Sequence, residues 1–290
     1  MTIKVYALSD LHIDYKGNFD HLLALDLPQY QDAALIVSGD VTDNIDKLTV
    51  MLSHFKSVFA EVFFVPGNHE FWVGNTQYRD SIDKFKAIIQ LCLQLGVHTE
   101  PYRLNANNSA LWVVPLFSWY TKAHEGDDSL YRAKPGDDQT EHIWSDNACC
   151  RWESLAPGQR VVDYFLALNE ANVSRRYDAP VVSFSHFLPL AELMMPLNYV
   201  KAKNFVDPLP QFNFTRVAGS TLLAEQIKAI GSQIHIYGHQ HRNRHRQIDG
   251  ITYISHCLAY PKERASSTWR GDDKPKLIWY DGEVTVEEHF

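Results

Sequence analysis

The sequence predicts an α+β chain whose first part is of α/β type, folded as one domain over residues 1–290. Three observations predict it. The first hundred residues alternate short apolar runs with amphipathic stretches, in the order β-α-β-α-β-α. Asp-Gly pairs at 249–250 and 281–282 mark two-residue hairpins near the C-terminus, because type I′ turns need positive φ at both positions. His, Asp and Asn residues recur just beyond the apolar runs, where open α/β sheets bind ligands.

Each element follows from its own pattern. Residues 3–8 alternate weakly and are rich in β-formers. Residues 33–38 (AALIVS) are a continuous apolar run closed by Gly39, and 61–65 (EVFFV) another closed by Pro66-Gly67. Runs apolar on both faces are the mark of buried central strands. Residues 44–59 carry apolar side chains at 45, 48, 51, 52, 55, 58 and 59, which is helical spacing. Asp43 or Asn44 can cap that helix, and Asp43 is expected to do so. Residues 80–95 repeat the spacing, with Gly96 at the C-cap position. Further strands are expected at 110–116, 180–185, 233–237, 244–248, 251–255, 276–280 and 283–287, with helices at 159–169 and 221–230. The C-terminal third then reads as antiparallel hairpins.

Composition narrows the function. With 45% hydrophobic residues the chain has ample core and is not a disordered segment. Its 27 basic and 35 acidic residues leave a net charge of −8, which argues against long nucleic acid as a partner. A small phosphate ester stays open, since bound metal ions can supply local positive charge. No run approaches the roughly 20 apolar residues of a membrane span, and the first ten residues lack a signal peptide's features. Cys92, Cys149, Cys150 and Cys257 contain no C-x-x-C pair, so reduced thiols in a cytoplasmic protein are expected. Segments 122–158 and 194–214 fit no minimal core. The first holds four basic and eight acidic residues, half of the net charge; the second is rich in Pro, Asn and aromatics. Both are expected to form lids over a small-molecule pocket.

The chemistry collects at strand ends. The runs are followed by Asp10-Leu11-His12, Gly39-Asp40, Gly67-Asn68-His69-Glu70, Ser185-His186 and Gly238-His239-Gln240-His241. Asp10 and His12, like His239 and His241, are two apart and would face one side of an extended chain. Three imidazoles besides His12, two carboxylates and an amide exceed what one tetrahedral zinc can use. They suit two first-row metals bridged by a carboxylate, with Mn, Fe, Zn and Ni all open.

D-x-H, G-D, G-N-H-E, a lone strand-end His and G-H-x-H, in that order, resemble the calcineurin-like metallophosphoesterase superfamily. The resemblance spans Asp10 to His241. It implies a four-layer αββα sandwich of two mixed sheets flanked by helices, with a dinuclear site at the strand ends. It implies Asp10, His12 and His241 as ligands of one metal, Asn68, His186 and His239 of the other, and Asp40 as the bridge. It implies that His69, not a ligand, contacts substrate phosphate and protonates the leaving group. The expected reaction is hydrolysis of a phosphomonoester or phosphodiester by attack of a metal-bridging hydroxide. A protein serine/threonine phosphatase, or a non-catalytic interaction scaffold on the same fold, are the alternatives. The complete set of competent residues favours an enzyme.

Taken singly, His12 and His186 would read as structural histidines, Asp40 as a turn former and Asn68 as the holder of a tight turn. Five such features in fixed order make coincidence a poor account. Glu70 can either orient His69 or start a helix. If 242–246 is a strand, Arg242, Arg244 and Arg246 share one face. Arg242 and Arg244 are then candidates for holding a substrate's second charged group. Trp72, Trp119, Tyr120, Trp144 and Tyr260 are divided between core and pocket.

Overall fold

The computed structural model describes residues 2–74, 77–106, 109–195, 207, 209–266, 269 and 271–285. The first half runs β1 (Lys4–Leu8), α1 (Lys16–Leu23), β2 (Ala34–Ser38), α2 (Ile45–Val58), β3 (Glu61–Val65), α3 (Ser81–Leu95), β4 (Tyr102–Asn105) and β5 (Ala110–Pro115). Next come α4 (Ser145–Cys149), α5 (Val161–Leu168), α6 (Glu170–Val173), β6 (Val181–Phe184), α7 (Thr221–Ala229) and β7 (Ser232–Tyr237). The chain closes with β8 (Arg244–Ile248), β9 (Ile251–Ser255), α8 (Pro261–Arg264), β10 (Lys276–Tyr280) and β11 (Glu283–Val284).

Two sheets result, in the orders β11-β10-β1-β2-β3 and β4-β5-β6-β7-β9-β8. Strands β1, β2 and β3 pair in parallel, as do β5, β6, β7 and β9. All five residues of β2 are buried, as a strand covered on both faces requires. Val5, Ile36, Phe63, Val113, Val182 and Ile234 share the cluster in which residues of the two sheets meet. Leu48, Met51, Leu52 and Phe55 of α2 cover the outer face of the first sheet, and Phe165, Leu223 and Ile227 cover the second. Each such fully buried side chain contributes roughly 1.5–3 kcal/mol. The four-layer αββα order is thus present, and parallel pairing brings the carboxyl ends of β1, β2, β3, β6 and β7 to one edge.

Local signals account for the ends of elements. Asn44, rather than Asp43, caps α2: its Oδ1 accepts from Asp46 N at 2.9 Å and Lys47 N at 3.0 Å. Asp43 instead offers its backbone oxygen to the Lys84 ammonium at 2.6 Å. Asp249 and Gly250, with φ of 50° and 81°, form the expected type I′ turn between β8 and β9. The hairpin reading of the C-terminal third needs one correction. β9 lies parallel to β7, because β8 is an outside edge strand that folds back onto β9. β10 leaves for the other sheet and pairs antiparallel with β1. Strand β4 and helices α4, α6 and α8 went unread in the sequence, being short or without clear periodicity, and α1 was expected only from the β-α-β order, without bounds. No helix among the described residues is long and apolar enough to cross a membrane.

Candidate metal centre

The loops after the parallel strands do not continue as extended chain. Asp10, His12, Asp40, His239 and His241 all have positive φ, between 43° and 73°. The expected extended i, i+2 geometry is therefore replaced by left-handed turns. For residues other than glycine this costs on the order of 1–3 kcal/mol each and persists only where the surroundings impose it. Here the loops lock one another: Asp10 N donates to Gly39 O and His12 N to Asp40 O, both at 3.0 Å. Gly67 leaves room for this closeness, since a Cβ there would lie 2.2 Å from Asp40 Oδ1.

These turns gather two clusters of possible metal ligands. One contains Asp10, His12, Asp40 and His241; the other contains Asp40, His186 and His239. In each, the candidate ligand atoms lie within 4.8 Å of one another, and Asp40 belongs to both. Asn68 Oδ1 joins the second at 3.2 Å from His186 Nε2. His12 Nε2 and His241 Nε2 approach to 2.8 Å, and Asp10 lies 3.5 Å from His241. All seven positions expected from the sequence therefore meet at one place.

The donor set fits cations. Asp10 and Asp40 are buried, at 0% and 2% exposure, and no described Lys or Arg pairs with either. Buried carboxylates without a cationic partner are costly. Burial raises both carboxyls, but neighbouring histidines outweigh it: Asp10 is held at about 2 and Asp40 well below its ordinary range. Burial keeps His239 at about 3 and His12 well below 6.5, so both rings are neutral with lone pairs to give. For His186 burial is opposed by Asp40, which takes it up to about 9.

Second contacts fix the rings. His186 Nδ1 donates to Ser38 O at 2.8 Å, and His239 Nε2 to Val217 O at 2.9 Å. His241 Nδ1 pairs with Glu263 Oε2 at 2.7 Å. In each case the other ring nitrogen is left for the site, as metal-binding histidines require. Glu263 was not found in the sequence, since it lies 22 residues after His241 on a four-residue helix.

A model of the calcineurin-like phosphoesterases matches residues 3–243. The chain belongs to this family. It is a hydrolase of phosphoric esters. Its relatives include the [acyl-carrier-protein] phosphodiesterase PptH of Mycobacterium tuberculosis, 26% identical over 270 residues, or 89% of this chain and 78% of that protein. Protein L509 of Acanthamoeba polyphaga mimivirus is 25% identical, covering 89% and 91% of the two chains. The crystal structure of phosphopantetheinyl hydrolase (PptH) from Mycobacterium tuberculosis superposes with a TM-score of 0.68 at 23% identity, covering 95% of both chains.

In this phosphoesterase the metal-ligand edge opens into a cavity of 530 Å³. His69 faces it, with Nε2 3.9 Å from Asp40 Oδ2 and its ring stacked on Trp72 at 3.8 Å. Tyr260 lies over His12 at 4.3 Å, and Phe214 against His239 at 5.2 Å. Trp144 and Phe212, 4.9 Å apart, line the same cavity. Trp119 and Tyr120 are core residues instead. Glu70 lies in a one-turn 3₁₀ helix, His69–Phe71, as the helix-start reading allows, and its buried carboxylate accepts backbone amides of two ligand loops.

The arginines divide. Arg242 lines the cavity, but β8 begins only at Arg244, so the three do not form one strand face. Arg244 donates to Leu193 O at 3.0 Å, and Arg246 to Glu192 O and Met195 O. Both hold the segment before residue 196 and do not line the site cavity. Of the two insertions, the first supplies Ile143 to Asp146 to the cavity, and the second Met194, Phe212 and Phe214. Residues 196–206 and 208, with Lys201 and Lys203, lie outside the described residues. Asn213 Nδ2 joins the insertions by donating to Arg132 O at 2.9 Å, and buried Arg216, two residues past the second, pairs with Asp137 at 2.8 Å and Glu141 at 3.1 Å.

Proposed function

We propose that this chain is a dinuclear metal-dependent phosphodiesterase. The observation that carries the reading is Asp40, shared by two ligand clusters at the floor of the cavity. Asp10, His12, Asp40 and His241 would hold one ion, and Asp40, Asn68, His186 and His239 the other. Bound there, such a pair supplies Lewis acidity and a water of lowered pKa for in-line displacement at phosphorus. The chain's own residues do the rest. His69, free of the ligand set, donates a proton to the departing alkoxide. Trp72 keeps the His69 ring in plane. Arg242 is a counter-charge at the rim.

The diester preference is supported by the relatives and by the cavity. PptH is named both an [acyl-carrier-protein] phosphodiesterase and a phosphopantetheinyl hydrolase. The aromatic cavity, lined by Ile143 to Asp146 of one insertion and Met194, Phe212 and Phe214 of the other, suits a slender organic arm on the phosphate. On this reading the arm enters the pocket and any carrier protein stays outside it. Hydrolysis of such an ester breaks one P–O bond, with water supplying hydroxyl to phosphorus and a proton to the departing oxygen.

The test is a comparison of substrates on Mn²⁺-loaded protein: phosphopantetheinylated carrier protein, bis-p-nitrophenyl phosphate and p-nitrophenyl phosphate. The reading expects cleavage of both diesters over the monoester, abolished by chelation and by Asp40→Asn. Faster turnover of the monoester, or of a phosphoserine protein, would favour a phosphatase instead. No hydrolysis of any ester by metal-loaded protein would leave the scaffold alternative.

A further inference from the structure

One buried carboxylate beside the site is used by none of the roles above. Asp146 stands on α4, inside the 122–158 insertion, and is 6% exposed. Its Oδ1 accepts from Asn68 Nδ2 at 2.9 Å and from Trp72 Nε1 at 2.7 Å. Tyr120 lies near the same carboxylate, whose charge adds to burial in raising the phenol. No described Lys or Arg forms an ion pair with Asp146.

Two facts of side-chain chemistry give this contact a consequence. An ionised carboxylate only accepts, whereas an amide has one accepting and one donating end. Facing Asp146, Asn68 can therefore present only Nδ2. Its Oδ1 is turned the opposite way, towards His186 Nε2 at 3.2 Å and the Asp40 side of the site. An indole nitrogen only donates. Trp72 is thus tied to the same oxygen, and its face lies on His69 at 3.8 Å and 29°.

We propose that Asp146 is a positioning residue that sets the amide orientation of Asn68, and through Trp72 the plane of His69. The insertion then completes the metal centre as well as covering it. A single carboxylate couples a ligand oxygen to the proton donor. This rests on Asn68 being a ligand of the second ion.

The experiment is Mn²⁺ titration of metal-free protein by calorimetry, a readout independent of turnover. Wild type is compared with Asp146→Asn and Asp146→Leu. Asp146→Asn keeps an oxygen at the point where Trp72 and Asn68 both donate, because the indole cannot face an NH₂ group, so second-ion binding should stay near that of wild type. Asp146→Leu offers no acceptor, so the Asn68 amide loses its fixed orientation. In that variant the second Mn²⁺ should bind about 10–100-fold more weakly, with the first unchanged.

Unchanged second-ion affinity in Asp146→Leu would overturn the proposal. Should that variant not fold, Asp146→Asn decides, because a folded Asp146→Asn protein without the second ion overturns it equally. Wild type binding a single ion is a different outcome. It would refute the dinuclear reading itself, and the wild-type titration alone reports it.

Discussion

The Glu70 carboxylate holds the backbone of Asp40: Oε2 accepts the Asp40 amide at 2.9 Å and the Gly67 amide at 2.6 Å. Oε1 accepts those of Val41 at 2.7 Å and Thr42 at 3.0 Å. Four donors from the loops after β2 and β3 converge on one side chain with no exposure. The left-handed conformation of Asp40 is imposed by this clamp and by the His12 amide on its carbonyl.

Glu70→Gln should therefore damage the fold as much as the site. The amide NH₂ would face two backbone N–H groups and leave both unsatisfied. At roughly 1–3 kcal/mol for each buried orphan, the loss should be about 2–6 kcal/mol. Urea denaturation of the metal-free protein measures it. A midpoint equal to wild type would mean the loops hold without the clamp.

His69→Ala should keep both metals, since no ligand is removed, while kcat falls about 10²–10⁴-fold on an alkyl diester. The loss should be much smaller on p-nitrophenyl esters, whose leaving group needs little protonation. Metal content is measured beside the rates. Loss of an ion from this variant would show that His69 belongs to the ligand set.

Arg216→Met should loosen the joint between the first insertion and the chain just after the second. The substitution strands Asp137 and Glu141 around a buried position. Breaking such a pair costs about 3 kcal/mol, or on the order of 10²-fold faster amide exchange within the insertion. Exchange in β1 to β3 should stay as in wild type. Uniform acceleration across the chain would instead make the joint part of the global core.

His235 predicts a pH effect away from the metals. It is fully buried on β7 between Ser183 and Ser185, with Nδ1 at 2.8 Å and Nε2 at 3.0 Å from their hydroxyls. Desolvation lowers its pKa from 6.5 to about 3. The unfolded chain thus binds a proton that the folded chain refuses between these values. Stability from this group is complete above pH 6.5 and is lost as pH falls towards 3. His235→Asn should reduce the slope of unfolding free energy against pH in that window by about one proton. Denaturation at several pH values tests it, and an unaltered slope would place the titration elsewhere.

The sequence alone determined the alternation of strands and helices in the first hundred residues, because each apolar run and helical stripe is a local pattern. β3, β9 and β10 fall on the expected residues, and α2 and α3 within a residue or two of theirs. The seven strand-end residues were readable for the same reason: parallel strands carry their exits to one edge whatever the loops do.

Tertiary structure alone decided the rest. Which strand lies beside β7 depends on the return path of β8, which no local pattern records. Glu263 and Asp146 reach the site from 22 and 78 residues beyond the side chains they hold. Arg244 looked free for substrate until the fold set Leu193 O beside it. Asp10 and His12 reach the metal edge through left-handed turns, not by strand alternation. That conformation is unfavourable for either residue in isolation. It exists because the amides and carbonyls of neighbouring loops have no other partners once the two sheets close around them.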